Sequence, residues 1–141
     1  MTTIIVGNGA FREASLFSIS SLSSLESFEI GDYCFRSITS FVLYRIPNLV
    51  TLKIGQTSFT PSPSSSMGDT STKFTIKECD KLESIEIGEM SFTDYAGSFQ
   101  IATLPSLKRL IIGSTSTTSN NFKYGSFSIN SIFIYLYESN Y

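Results

Sequence analysis

A spacing that recurs five times along a chain restricts the fold to arrangements in which equivalent residues stack on one another. Here the spacing is Leu107-x-x-Leu110-x-Ile112-Gly113, and it returns as Leu82-x-x-Ile85-x-Ile87-Gly88, Leu49-x-x-Leu52-x-Ile54-Gly55, Leu25-x-x-Phe28-x-Ile30-Gly31 and Met1-x-x-Ile4-x-Val6-Gly7. The glycines fall 24, 24, 33 and 25 residues apart. Four residues after each of the first four glycines stands a phenylalanine: Phe11, Phe35, Phe59 and Phe92. Phe122 takes this slot in the fifth repeat after a short insertion.

A second segment follows in each repeat, as Phe17-x-Ile19, Phe41-x-Leu43, Phe74-x-Ile76, Phe99-x-Ile101 and Phe127-x-Ile129, three residues ahead of Leu22, Ile46, Cys79, Leu104 and Ile132. Eleven of the twelve phenylalanines occupy repeat slots, leaving only Phe133. One isolated repeat cannot offset its ordering entropy with about seven apolar side chains at ~1.5–3 kcal/mol each, whereas a stack of repeats can. The chain therefore reads as a single domain over residues 1–141, with coils starting near residues 1, 25, 49, 82 and 107.

Alternation of apolar and polar residues in both segments predicts strands, and the Ser, Thr, Gly, Asp and Asn residues between them predict turns. Strands are expected at 3–6, 27–30, 51–54, 84–87 and 109–112, and second strands near 17–19, 41–43, 74–76, 99–101 and 127–129. No segment carries a sustained helical stripe. The expected fold is mostly β: a solenoid of about five coils with two short parallel strands per coil and little or no helix.

Leu-x-x-Leu-x-Ile, a polar turn, an aromatic slot and a second apolar segment together resemble the leucine-rich repeats, especially the BspA-like class of surface repeat proteins. Nearly the whole chain takes part, with glycine where that pattern often has Asn or Cys. The resemblance implies a right-handed leucine-rich-repeat solenoid, a role in protein recognition or adhesion through the concave sheet, and an extracellular or cell-surface location.

Composition narrows the partners. A net charge of −2 and a pI near 5.0 lack the basic footprint that nucleic acid requires, so no nucleic-acid partner is expected. No apolar run approaches the ~20 residues of a membrane span, and no charged segment followed by an apolar signal core opens the chain. With no histidine, the commonest general base and metal ligand is missing. We expect no enzyme, no catalytic or metal site and no cofactor. Ile4-Ile5-Val6-Gly7-Asn8-Gly9-Ala10 imitates a dinucleotide-binding turn, but Arg12 replaces the third glycine and the same strand and first glycine recur without Gly9. Cys34 and Cys79 differ in coil phase, which predicts two packed free thiols rather than a bridge.

Two surfaces are candidates for function. Register predicts an outward row Ile5, Glu29, Lys53, Glu86 and Ile111, and beside it a row Thr3, Ser27, Thr51, Ser84 and Arg109. Glu29, Lys53, Glu86 and Arg109 form the candidate recognition face, for a protein or a surface glycan; their alternating sign also suits sheet register and solubility. Phe133, Tyr135 and Tyr137 form a candidate assembly end, where a second copy would stack head to tail into a fibre or oligomer. A piece of a longer repeat array would present the same ends. Finally, Phe59 to Phe74 spans 15 residues where Phe11 to Phe17 spans 6. The inserted Ser/Thr/Pro stretch 60–73 is expected on the surface, as a tolerated loop, a recognition edge or a site of phosphorylation or O-glycosylation.

Overall fold

The computed structural model describes residues 2–60 and 68–126 and the backbone of residues 129–130. It is mostly β and, among the described residues, contains no helix. Odd-numbered strands β1 (Thr2–Val6), β3 (Leu25–Ile30), β5 (Thr51–Ile54), β7 (Ser84–Ile87) and β9 (Arg109–Ile112) form one parallel sheet, paired in that order. Even-numbered strands β2 (Ile19–Ser20), β4 (Ser40–Tyr44), β6 (Lys73–Lys77), β8 (Ser98–Ala102) and β10 (Ile129–Asn130) form the second, also parallel and also in chain order. The chain alternates between the sheets, so strands that pair are separated in sequence by one repeat. Three first strands coincide with the expected limits, and the interior second strands run one residue longer at each end. β2 is displaced toward Ser20, and residues 127–128 of the last expected strand lie outside the described residues.

The alternating pattern buries one face of each sheet. Phe28, Ile30, Leu52, Ile54, Ile85 and Ile87 from one sheet join Phe41, Leu43, Phe74, Ile76 and Ile101 from the other in a single core. Phenylalanine rings make two columns through it. Phe11, Phe35, Phe59, Phe92 and Phe122 stack with centroids 4.7–5.3 Å apart and planes within 16°. Phe17, Phe41, Phe74 and Phe99 stack at 4.9–5.2 Å. The columns meet edge to face, as at Phe41–Phe59 and Phe74–Phe92, a geometry that contributes about 0.5–1.5 kcal/mol per pair beyond area burial. Cys79 occupies a core slot and Cys34 a turn position; both are buried free thiols, and burial pushes the Cys79 thiol above its ordinary range.

Three corners of the repeat are left-handed. Phe11, Phe35, Phe59, Phe92 and Phe122 have φ between 49° and 58°, Ser21, Arg45, Glu78 and Thr103 between 53° and 55°, and Tyr33, Thr57, Met90 and Asn120 between 52° and 63°. Such a conformation costs a non-glycine residue roughly 1–2 kcal/mol. Most of these corner N–H groups bond to the neighbouring repeat, as in Phe59 N to Cys34 O at 3.0 Å and Thr57 N to Glu89 O at 2.9 Å, which offsets that cost.

Two expectations are corrected. Phe11 and Leu22 belong to interior slots, yet they are 60% and 42% exposed, because the second repeat covers them on one side only. At the ends of the insertion Thr70, Ser71 and Lys73 are exposed as expected, but Thr60 and Thr72 are not. Thr60 is fully buried and donates to Met90 O at 2.6 Å, and Thr72 is 4% exposed and bonds Asp69 O and Gly97 N. Asp69 lies in a parallel bridge with Tyr95, whose buried hydroxyl donates to Ile38 O at 2.6 Å. Residues 61–67 lie outside the described residues.

Candidate recognition face

The strands of the first sheet hold their outward side chains in straight rows, because parallel pairing repeats every residue of one strand beside its equivalent on the next. Register pairs Ile5 with Glu29, Glu29 with Lys53, Lys53 with Glu86 and Glu86 with Ile111. Beside this row run Thr3, Ser27, Thr51, Ser84 and Arg109. Glu29, Lys53 and Arg109 are exposed and Glu86 is half-buried. Glu29, Lys53 and Glu86 thus share one row, while Arg109 stands in the adjacent row and reaches diagonally to Glu86 at 3.2 Å. Lys108 reaches Glu83 at 3.5 Å in the same sense. Thr51 Oγ1 donates to Ser27 Oγ at 3.1 Å within the hydroxyl row. Exposed pairs of this kind contribute at most about 1 kcal/mol.

The face carries a charge pattern that the strand rows alone do not reveal. Glu26, Glu29 and Asp32 recur one phase for one phase as Glu83, Glu86 and Glu89, so acidic stripes follow β3 and β7 and flank β5. Lys53 stands between them, and repeats two strands apart lie ~10 Å from each other. The stripe on β7 is met by Lys108 and Arg109, and Glu89 by the Thr117 hydroxyl. The i, i+3, i+6 spacing of acids was present in the sequence and went unread.

A second arrangement was also missed, at the turn that follows each first strand. The residue before each phenylalanine corner is Ala10, Cys34, Ser58, Ser91 or Asn121. Cys34 Sγ donates to Gly7 O at 3.1 Å, Ser58 Oγ to Gly31 O at 2.8 Å, Ser91 Oγ to Gly55 O at 2.6 Å and Asn121 Nδ2 to Gly88 O at 2.8 Å. Ser58 and Ser91 also accept the N–H groups of Cys34 and Ser58. The ladder satisfies buried backbone that the strands do not reach. It also explains the glycines. A Cβ at Gly55 or Gly88 would come within 2.6 or 2.5 Å of the preceding glycine's carbonyl carbon, whereas at Gly7 nothing lies within 4 Å.

The remaining charged pairs sit elsewhere. Arg45 bonds Glu78 at 2.8 Å and lies over the Tyr44 ring, and its hydrogen bond holds the Glu78 carboxyl below the ordinary carboxylate range. The Ser71 hydroxyl and N–H lower Asp69 in the same way. Among the described residues no three His, Cys, Asp or Glu side chains gather as a metal site, and no helix is long and apolar enough to cross a membrane. Phe133, Tyr135 and Tyr137 lie outside the described residues. The chain matches no family model, no curated protein and no solved structure.

Proposed function

We propose that this chain is a non-enzymatic recognition module, a right-handed solenoid of the leucine-rich-repeat kind and BspA-like in its pattern, that binds a protein or a surface glycan through its first sheet. Two parallel sheets whose strands follow chain order support the solenoid reading. The observation that carries the functional reading is the row Glu29, Lys53 and Glu86 with Arg109 beside it. It sets fixed charges on a rigid sheet, the property that gives an interface specificity and rapid encounter. Lys53 is the cation between two acidic stripes, so a partner that matches the stripes must also present an acceptor to it.

The test is binding of the labelled chain to a panel of immobilised glycans and to intact cells, comparing the natural protein with Lys53→Glu. Binding that falls at least about tenfold supports the reading; equal binding by the two proteins overturns it. Self-assembly end to end is a second reading, favoured by the apolar residues Ile5, Phe11, Leu16 and Leu22 exposed on the first repeat.

A further inference from the structure

We propose that the occupant of the first sheet is an α-helix of a partner protein, laid across the strands, with basic side chains on Glu29 and Glu86, an acidic one on Lys53 and apolar ones on Ile5 and Ile111. The inference rests on the recognition reading above and names the partner's shape and its order of charges.

Across the strands the outward row runs Ile5, Glu29, Lys53, Glu86 and Ile111, with an isoleucine on the far side of each acid and the cation at the centre. Two of its ions are uncommitted. Arg109 holds Glu86 at 3.2 Å, and elsewhere Lys108 meets Glu83 and Arg45 meets Glu78. Glu29 and Lys53 are register neighbours of opposite charge, yet among the described residues neither side chain takes part in an ion pair or hydrogen bond. A partner can pair with both without first breaking a contact.

The acids alone would specify only a basic partner; their spacing specifies its conformation. Neighbouring strands lie about 4.8 Å apart, so Lys53 stands about 4.8 Å and Glu86 about 9.6 Å from Glu29 along the row. An extended chain crossing the sheet presents side chains of one face every ~6.6 Å, so its second contact misses by about 4 Å. A helix presents residues three or four apart on one face at about 4.5 or 6 Å, and residues seven apart at about 10.5 Å. It stays within about 1 Å of the row. Its stripe at the first, fourth, eighth, eleventh and fifteenth positions then reads apolar, basic, acidic, basic, apolar.

The surroundings suit such an occupant. The adjacent row Thr3, Ser27, Thr51 and Ser84 consists of short side chains, which leaves room for a cylinder beside the charged row. Six of the twelve acids and three of the ten cations lie on this face or at its margins, which gives it −3 where the whole chain has −2. A helix of net positive charge is therefore steered to this face rather than to the rest of the molecule.

Fluorescence anisotropy of labelled synthetic peptides with the full chain, at low ionic strength, tests this. The probe is an alanine-based helix, closed by a side-chain lactam on its far face, with leucine, arginine, glutamate, arginine and leucine along its stripe. It should bind at least about tenfold more tightly than either of two controls. One control moves the glutamate to an outer charged position, which keeps the net charge; the other is broken by a central proline. Lys53→Gln should erase the preference for the central glutamate while leaving the far-ultraviolet circular dichroism spectrum unchanged, since Lys53 is exposed. Both peptide comparisons are made on the natural chain, so they do not depend on a variant folding. Equal binding of the two charge orders overturns the inference, and equal binding of the broken peptide overturns the helix. If no peptide binds while glycans or cells are held in a Lys53-dependent way, this inference fails and the recognition reading stands; if nothing is bound, both fail.

Discussion

Ser58 Oγ donates a 2.8 Å hydrogen bond to the carbonyl of Gly31, one repeat earlier, and accepts the N–H of Cys34 at 3.1 Å. Ser58 is fully buried, so water cannot replace either partner. Ser58→Ala would leave a donor and an acceptor unsatisfied, each lost bond costing about 1–3 kcal/mol. Ser58→Asn, by contrast, offers a donor and an acceptor but adds volume. We expect Ser58→Ala to lower the denaturation midpoint clearly. A midpoint unchanged within error would show that the ladder contributes nothing.

The glycines give a paired comparison within one molecule. Gly55→Ala forces a methyl against the carbonyl carbon of Gly31, an overpacking that costs roughly 1–3 kcal/mol. Gly7→Ala meets open space and should change stability by less than about 0.5 kcal/mol. Urea titration of the two variants decides the matter, and equal losses would contradict the close approach of successive turns.

Tyr95 predicts a response to alkali. Burial raises its phenol far above the ordinary 10.0, and its hydroxyl is committed to the Ile38 carbonyl. A group whose folded value is raised contributes stability that is complete below the unfolded value and lost as pH rises past it. Folding should therefore weaken above pH 10 by about 1.4 kcal/mol per pH unit from this residue alone. Tyr95→Phe should be less stable near neutrality, for want of the hydrogen bond, yet show a shallower loss above pH 10. Cys79, also raised by burial, keeps part of the slope in both proteins. Parallel slopes would remove Tyr95 as the cause.

Strand positions and register were readable because each depends on a residue class that the repeat preserves. Leu52 pairs with Ile85 and Lys53 with Glu86 simply because the two glycines align. The turn ladder was not readable in the same way. Cys34, Ser58, Ser91 and Asn121 share no residue type, only a donor of short reach, and the glycine carbonyls that they meet are backbone atoms a sequence does not display. The left-handed corners were hidden for a related reason: phenylalanine is an unfavourable choice there, so local preference pointed away from the conformation that contact between repeats imposes. The burial of Thr60 and Thr72 at the ends of the insertion depended on Met90 and Gly97, which lie in the next repeat. On the candidate face, the expected row was correct for Glu29, Lys53 and Glu86, while the reach of Arg109 to Glu86 needed the length of the arginine side chain as well as the register.

The parallel register has a consequence for how the chain finds its structure. Ladder bonds join residues 24, 27, 33 or 36 apart, and pairing never skips a repeat. Each folding step thus closes a loop of about one repeat, whose entropy is nearly the same wherever it starts. Nucleation can begin at any neighbouring pair and spread in either direction. Duplicating a repeat would lengthen the molecule without lengthening the search that any contact requires.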